Sequence, residues 1–220
     1  MDDYRQLLEN NQAWAEQLRL TEPEVFADMA SGQSPETFFI GCADSRVPAN
    51  SIVRVPPGDM FVHRNVANLV HNADMNILSS IEYACSHLKV KRIIVCGHTE
   101  CGGVKAAMQA RDYGVLDPWL RNIRDVYRLH ALELDGIQDD NARYNRLVEL
   151  NVEEQCLNVM KYSSVQSAMH AKPEFSVHGW VFDVKTCLIK DLNIDFEKGI
   201  AEFGKIYDLT GQMTTLAHQS

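Results

Sequence analysis

Two short motifs carry residue types that could hold a metal ion and do chemistry beside it. The first is Cys42-Ala43-Asp44-Ser45-Arg46, and the second is Gly97-His98-Thr99-Glu100-Cys101-Gly102-Gly103. Two thiolates and one imidazole form a ligand set that suits zinc, and a catalytic zinc site keeps one further position open for water. Together the motifs predict a mononuclear zinc site formed by Cys42, His98 and Cys101.

Two charged residues of the first motif could act next to that metal. In an extended chain, residues two apart point to the same side, so Cys42, Asp44 and Arg46 are expected on one face. Asp44 and Arg46 would then be close enough for a charge-assisted pair. Asp44 is also a candidate fourth ligand, which would close the site and make the metal structural. A third alternative is that both cysteines are small buried hydrophobes and His98 is a core histidine.

Two glycines follow Cys101 and are expected to begin a helix. The first backbone N–H groups of a helix have no intrahelical partner, so those of Gly102 and Gly103 would be free to donate to an anion. An oxyanion that forms beside the metal could therefore be stabilised there.

The elements that position these motifs are predicted by apolar runs and helical spacing. Buried strands are expected at 37–42 and 92–98, and each leads into one of the two motifs. Alternating strands and helices favour an α/β fold with a mainly parallel central sheet flanked by helices, in which sites form at the carboxyl ends of strands. The remaining expectations are strands at 59–66, 175–184 and 187–194, and helices at 75–88, 101–108, 116–134 and 141–171.

Residues 1–30 have the spacing of an N-terminal helical arm. Mostly apolar residues recur with a helical period from Tyr4 to Leu18, and Thr21 could be the N-cap of a second short helix. The arm is expected to pack on its own domain or on a second subunit. Because the chain has no internal repeat and no linker-like tract, 1–220 is predicted to form a single domain.

The composition narrows the class of partner and the location. The 220 residues carry a formal net charge of −9 with a pI of about 5.3, so nucleic acid is not an expected partner. No apolar run is long enough to cross a bilayer, and no membrane partner is expected. The acidic start, MDDYRQLLENNQ, contains no signal core, which favours a cytoplasmic location. An organellar location after removal of a targeting peptide stays open.

At these motifs the sequence resembles the β-class carbonic anhydrases. The resemblance implies that family's α/β fold, an arm that wraps a partner subunit, and a homodimer or homotetramer. It implies one Zn²⁺ per chain and the reversible hydration of carbon dioxide to bicarbonate and a proton, by attack of zinc-bound hydroxide. The matching segments occur in the family's order at 41–47, 61–70, 81–84, 95–103 and, more weakly, 177–180.

The resemblance also implies roles for individual residues. Cys42, His98 and Cys101 would bind zinc, and Asp44 and Arg46 would form a catalytic dyad that orients the hydroxide. Asp44 would be a fourth ligand only in a closed state of the site. Positions that line the family's substrate pocket are matched by Gln33, Phe61, Tyr83 and Gly102.

One departure from the family concerns a second bicarbonate pocket. In some members a tryptophan, an arginine and a tyrosine form this pocket, and it accompanies binding of the aspartate to zinc. Here Arg64 is present, but Phe39 and Phe182 stand at the other two positions and lack the indole N–H and phenol O–H donors. We therefore expect an impaired pocket and an open site, with Asp44 off the metal, near neutral pH.

Two other functions stay open from the sequence. Carbon disulfide or carbonyl sulfide could be the substrate, because the motifs around the metal do not distinguish these molecules from carbon dioxide. A non-catalytic zinc module for assembly would use Asp44 as the fourth ligand. The presence of Arg46 and the paired glycines beside Asp44 weighs against this module, since a structural site closed by Asp44 needs none of these three residues.

Overall fold

The computed structural model describes residues 3–196, so 1–2 and 197–220 of the domain expected over 1–220 lie outside the described part. The strands in that part are β1 (Thr37–Cys42), β2 (Met60–Asn65), β3 (Arg92–His98), β4 (Ser176–Phe182) and β5 (Ile189–Asp191). They form one sheet in the order β2-β1-β3-β4-β5, in which the first four strands are parallel and β5 is antiparallel to β4.

Helices flank this sheet and precede it as an N-terminal arm, so the predicted fold class is confirmed. None of the helices between residues 3 and 196 has the length and apolar character that a membrane span requires. A π-helical turn (Tyr83–Leu88) continues α4. The helices are α1 (Asp3–Thr21), α2 (Pro23–Ser31), α3 (Ala49–Val53), α4 (Met75–Glu82), α5 (Gly102–Ala107), α6 (Asp117–Leu129), α7 (Ala131–Asp135), α8 (Asp140–Met160) and α9 (Ser163–Ala171).

The two central strands, β1 and β3, begin and end where the sequence predicts. Apart from half-buried Arg92, their residues are buried, because a strand in the middle of the sheet is covered on both faces. Such a strand has an unbroken apolar run in its sequence. The other three strands, β2, β4 and β5, lie inside their predicted ranges and are shorter at both ends.

Two helical segments are interrupted where the sequence predicts continuity. The segment 116–134 breaks at His130, whose backbone (φ −108°, ψ 21°) leaves the helical region before α7 begins. The segment 141–171 breaks at Tyr162, which is extended (φ −80°, ψ 134°), so α8 and α9 are separate helices. One residue outside the helical region ends a helix without disturbing the apolar period, which is why the period alone predicts one helix.

Thr21 is the last residue of α1 and is not the N-cap of the second helix. Its hydroxyl donates to the carbonyl of Gln17 at 3.1 Å, inside α1. Pro23 is the first residue of α2. A backbone N–H at this position would have no acceptor within the helix, so proline loses no hydrogen bond there. Glu22 therefore stands at the cap position.

The two faces of the sheet are covered to different extents. On the face that we call the closed face, Phe38, Ile93 and Val177 lie side by side across β1, β3 and β4. They belong to a large buried core to which α4, α6, α8 and α9 also contribute. The opposite face, which we call the open face, carries a small buried cluster that includes Phe39 and Ile94 and is covered in part by α3.

Candidate metal site

The carboxyl ends of β1 and β3 bring the three predicted metal ligands together. The strands are adjacent and parallel; Cys42 ends the first, His98 ends the second, and Cys101 precedes α5. All three residues are buried, and their ligand atoms lie within 4.8 Å of one another. The cluster therefore lies at the edge where sites form in parallel sheets.

The imidazole of His98 is held in one tautomer. Its Nδ1 lies 2.8 Å from the carbonyl oxygen of Thr99, which can only accept, so Nδ1 carries the proton. Its Nε2 therefore presents a lone pair, and this buried atom has no hydrogen-bond partner within residues 3–196. A buried polar atom without a partner is costly, whereas a metal ion would bind this lone pair.

The thiols of Cys42 and Cys101 are close but not bonded covalently. Their Sγ atoms are 4.0 Å apart, about twice the length of a disulfide bond. The hydrogen bond from Cys101 lowers the pKa of Cys42 to about 4, because it stabilises the Cys42 thiolate. That bond and burial raise the pKa of Cys101, whose ionisation would place two negative charges side by side. A cation between the sulfurs would remove this repulsion.

Asp44 and Arg46 form a bidentate ion pair next to the ligands. Arg46 Nε and Nη2 donate to Asp44 Oδ1 and Oδ2 at 2.9 and 2.7 Å. These bonds hold the pKa of Asp44 well below its usual range. Arg46 Nη2 also donates to the carbonyl of Glu100 at 3.0 Å, so it links the two motifs. Asp44 Oδ2 lies 3.8 Å from His98 Nε2, beside the ligand cluster.

The segment from Asp44 to Val47 is a tight turn, not the extended chain expected from the sequence. The backbone N–H of Arg46 donates to Asp44 Oδ1 at 2.9 Å, and that of Val47 donates to the Asp44 carbonyl at 3.1 Å. Aspartate favours such turns because its side chain accepts from the backbone two residues on. The turn, and not strand alternation, brings Arg46 back onto Asp44.

The chain at the end of β2 supports the Cys42 segment from one side. The N–H of Ala67 points at the Cys42 sulfur at 3.4 Å, and the left-handed backbone of Ala67 (φ 63°) shapes this turn. Arg64 donates through Nε to the Cys42 carbonyl at 2.8 Å and through Nη2 to the Asp44 carbonyl at 2.5 Å. Both the thiol and the backbone of Cys42 are therefore fixed.

Gly102 and Gly103 begin α5 as predicted, but their surroundings differ. A Cβ at Gly103 would come within 2.9 Å of Val66 Cγ1, so this close approach requires glycine. A Cβ at Gly102 would meet no atom of the described residues within 4 Å. The backbone N–H groups of Gly103 and Val104 work against the rise in the pKa of the Cys101 thiol. That the N–H groups of Gly102 and Gly103 donate to an anion stays a prediction.

Two of the predicted pocket residues lie far from the metal ligands of their own chain. Phe61 pairs with Phe38 in the sheet, whereas Cys42 pairs with Asn65, so Phe61 lies four residues back along the strands. At the usual rise of a strand this is about 13 Å. The ring of Tyr83 packs against that of Phe61, with the two centroids 5.7 Å apart.

The other two predicted pocket residues lie at opposite ends of the parallel strands, Gly102 near their carboxyl ends and Gln33 near their amino ends. Gly102 follows the ligand Cys101 directly. Gln33 is exposed in the segment before β1 and lines a surface cavity of about 430 Å³ together with 57–59. No metal ligand is among the described residues that line this cavity.

Sequence reasoning missed two polar residues of α8 that reach the site. The hydroxyl of Tyr144 donates to the Cys101 carbonyl at 3.1 Å, and the amide of Asn151 donates to the Ala67 carbonyl at 3.1 Å. Both side chains are buried among apolar positions of the helix. Polar residues on the apolar side of a helical stripe are the signal that could have identified them.

Known proteins with this sequence pattern and fold were found by comparison. A family model described as carbonic anhydrase matches residues 37–189. A curated carbonic anhydrase of Emericella nidulans is 55% identical over 204 residues, which span 93% of this chain and 90% of the relative.

Two solved structures have the same fold along most of the chain. The β-carbonic anhydrase CafA of Aspergillus fumigatus superimposes with a TM-score of 0.87 at 37% identity and covers 94% of this chain and 100% of that one. One of two tetrameric β-carbonic anhydrases from Sordaria macrospora gives a TM-score of 0.83 at 42% identity and covers 88% of this chain and 98% of that one. Taken with the matches in sequence, these likenesses show that the chain belongs to the β class of the carbonic anhydrases, a family of lyases.

Proposed function

We propose that this chain catalyses the reversible hydration of carbon dioxide with one zinc ion held by Cys42, His98 and Cys101. The observation that carries the proposal is the buried Nε2 of His98, which has no hydrogen-bond partner in the described part of the chain and lies with two thiols at the carboxyl ends of β1 and β3. Membership of the carbonic anhydrase family indicates the reaction, and the set of two thiols and one imidazole indicates zinc as the metal.

The dimensions of the cluster support zinc. In a tetrahedral site with Zn–S bonds of about 2.3 Å, two sulfurs lie about 3.8 Å apart. The Cys42 and Cys101 sulfurs are 4.0 Å apart, so binding would need little rearrangement. When bound, zinc lowers the pKa of a coordinated water to about 7 and so provides a nucleophile at neutral pH.

In this proposal Asp44 orients the nucleophilic water and Arg46 holds Asp44 in place. The bidentate pair keeps both carboxylate oxygens engaged and the carboxyl ionised, so Asp44 accepts hydrogen bonds and does not donate. Loss of Arg46 would free Asp44 to approach the metal, since Oδ2 already lies 3.8 Å from His98 Nε2. Gly102 N–H is proposed as a donor to the forming oxyanion.

We further propose that the site is open near neutral pH. The rings of Phe39 and Phe182 are buried in the cluster on the open face, together with Ile94 and Cys96. They offer no polar group to bicarbonate. Arg64 donates to the carbonyls of Cys42 and Asp44, so its Nε and Nη2 already have acceptors within the site. The second bicarbonate pocket therefore lacks the donors that would accompany closure by Asp44.

We propose that the active form is a homodimer or homotetramer and that a partner subunit completes the substrate pocket. Phe61 and Tyr83 are too far from their own Cys42 to line its pocket, and Tyr83 is 44% exposed. A second copy packed against β2, the edge strand of the sheet, could receive these rings in its own site. Gln33 would reach a partner's site in the same way.

The N-terminal arm supports the same assembly. Within the described part of the chain, no residue of α1 is buried, and Leu7, Trp14 and Leu20 are exposed. An amphipathic helix is stabilised chiefly by burying its apolar face, which α1 does not do in one chain. The related structure from Sordaria macrospora is described as tetrameric. We propose that the arm packs on a second copy of the chain.

The test is stopped-flow hydration of carbon dioxide from about pH 6.5 to about pH 9, with zinc counted on the same sample. We expect one zinc per chain and activity that rises smoothly through neutral pH. Activity that is absent until about pH 8 would indicate closure by Asp44 and contradict the open site. Zinc without activity at any pH would favour the assembly module, unless carbon disulfide or carbonyl sulfide is consumed instead.

The dyad has a matched control on the surface. Arg46→Ala is expected to lower kcat/KM about tenfold or more at unchanged zinc content, because Asp44 loses its clamp. Arg128 makes an ion pair with Asp125 at 3.2 Å on the exposed side of α6, so Arg128→Ala should leave the rate within about twofold. Equal rates for the two variants would exclude Arg46 from the mechanism.

A further inference from the structure

One buried stripe of α8 contacts all three segments that carry the metal ligands. Its members recur at the spacing of a single helix face, and they alternate between polar and apolar side chains. Each lies behind the site, on the closed face of the sheet. The α8 stripe consists of Tyr144, Val148, Asn151, Val152 and Gln155.

Tyr144 contacts the segment that carries Cys101. Its hydroxyl donates to the carbonyl of Cys101 itself at 3.1 Å, across 43 positions of sequence. The side chain is buried, so the bond is shielded from competing water. The backbone of one ligand is therefore fixed directly by α8.

Asn151 contacts the segment that supports Cys42. Its Nδ2 donates to the Ala67 carbonyl at 3.1 Å, while the Ala67 N–H points at the Cys42 sulfur at 3.4 Å. Ala67 has a left-handed backbone, which costs energy for a residue other than glycine. A bond that holds the Ala67 carbonyl therefore also holds the N–H that faces the thiol.

The orientation of Asn151 is itself fixed by the next turn of α8. Its Oδ1 accepts from Gln155 Nε2 at 3.2 Å, and Gln155 Oε1 accepts from the Val70 N–H at 2.8 Å. The carboxamide of Asn151 thus has one assigned orientation, in which Nδ2 faces the loop. Ala67 and Val70 are both held, so the loop after β2 is fixed at two points.

The apolar members of the stripe pack under the third ligand. A Cβ at Gly97 would come within 2.6 Å of Val152 Cγ2 and 3.6 Å of Val148 Cγ1, so both valines lie against the backbone that precedes His98. Packing this dense leaves β3 little freedom to move away from α8.

We propose that Tyr144 and Asn151 are positioning residues that set the metal-binding geometry of Cys101 and Cys42 from behind the site. The proposal rests on the proposed zinc site and adds the part of the fold that holds it. Groups that orient metal ligands commonly change metal affinity by about 10-fold to 100-fold when they are removed. The expected effect is therefore on metal retention and on ligand geometry, beyond any effect on folding.

The chain offers a matched control for each residue. Tyr162→Phe also removes a hydroxyl that donates to a backbone carbonyl, that of His71 at 3.3 Å, but this carbonyl adjoins no ligand. Gln166→Ala removes a buried amide of α9 that donates to the Met160 carbonyl at 3.2 Å, and within residues 3–196 neither Gln166 nor Met160 is hydrogen-bonded to the loop after β2 or to a predicted ligand. Tyr144→Phe and Asn151→Ala are the test variants. Tyr144→Phe keeps the ring, so it retains the fold even if Asn151→Ala does not.

The experiment measures zinc release to a chelator and the thiolate-to-cobalt absorption of the cobalt-substituted protein. The wild-type chain is first loaded with zinc. If it does not bind one zinc per chain, the proposed metal site itself is refuted. With a loaded wild type, we expect zinc release to be about tenfold faster in Asn151→Ala and about threefold faster in Tyr144→Phe, with shifted cobalt bands. Both controls should release zinc within about twofold of wild type. Release rates and spectra of the test variants equal to those of their controls would overturn the inference and leave the metal site standing.

Discussion

On the closed face, Phe38, Ile93 and Val177 lie in a row under helices that leave them fully or almost fully buried. On the open face of the same strands, Met60 and Trp180 are only partly buried, and Val62 is 36% exposed. Within a single chain, helices cover the closed face, whereas the open face is covered only in part. We infer that the closed face provides most of the stability of a single chain and that the open face is completed by assembly.

The proposed metal ligands lie on the boundary between these two regions. Cys42 belongs to the closed-face core, whereas His98 continues the alternation of Ile94 and Cys96, which face the open side. Support from α8 therefore comes from the closed face, whereas His98 lies on the face that a single chain covers only in part. Substitutions on the two faces should therefore affect stability and assembly to different extents.

The largest effect is expected from a cavity on the closed face. Ile93 is fully buried, so Ile93→Ala should lower the free energy of unfolding by about 2–5 kcal/mol in urea titrations. Its open-face counterpart, Val62→Ala, should lower it by less than about 1 kcal/mol in dilute solution, where chains are separate. Similar losses for both variants would show that one chain relies equally on the two faces.

A smaller effect is expected from adding a methyl group to the closed face. A Cβ at Gly179 would come within 2.4 Å of Ile194 Cδ1 and 3.1 Å of Val152 Cγ1. Gly179→Ala should therefore cost about 1–3 kcal/mol of unfolding free energy. Gly102→Ala, whose added methyl group would meet no atom of residues 3–196 within 4 Å, should change the unfolding free energy by less than about 0.5 kcal/mol. If Gly179→Ala were equally mild, α8 and the segment after β5 would not be packed tightly against β4.

The smallest effect on a single chain, yet a clear one on assembly, is expected from a charge on the open face. Val62→Glu should leave the unfolding of dilute chain nearly unchanged, because the side chain already reaches water. It should weaken self-association about tenfold or more in sedimentation velocity, since assembly would bury an unpaired carboxylate. Val115→Glu, at a fully exposed position, is the control. Unchanged association of Val62→Glu would place the interface elsewhere.

The sequence predicts the centre of the sheet better than its surroundings. Strands β1 and β3 were predicted with their observed ends because burial on both faces leaves an unbroken apolar run. The breaks at His130 and Tyr162 leave the apolar period intact, so the period does not reveal them. Thr21 fits the pattern of an N-cap, but a proline two positions later decides where α2 begins.

The candidate site shows the same division. Cys42, His98 and Cys101 could be grouped because each adjoins the end of an obvious strand. The turn that brings Arg46 onto Asp44 depends on a side-chain bond to the backbone, which strand alternation does not describe. Tyr144 and Asn151 approach the site from 43 and 84 positions away from their partners, and only the packing of α8 on the sheet joins them.

The spacing of the proposed ligands along the chain implies an order of events in folding and metal uptake. His98 and Cys101 are only three positions apart, so we expect a newly made chain to hold a metal ion weakly with these two alone. Cys42 lies 59 positions before Cys101 and joins them only when β1 has paired with β3. Closing so long a loop is a slow, non-local event in folding. Tight retention of zinc should therefore appear together with the β1–β3 pairing, and the rate of metal uptake into a chelator-resistant form would report how quickly the centre of the sheet assembles.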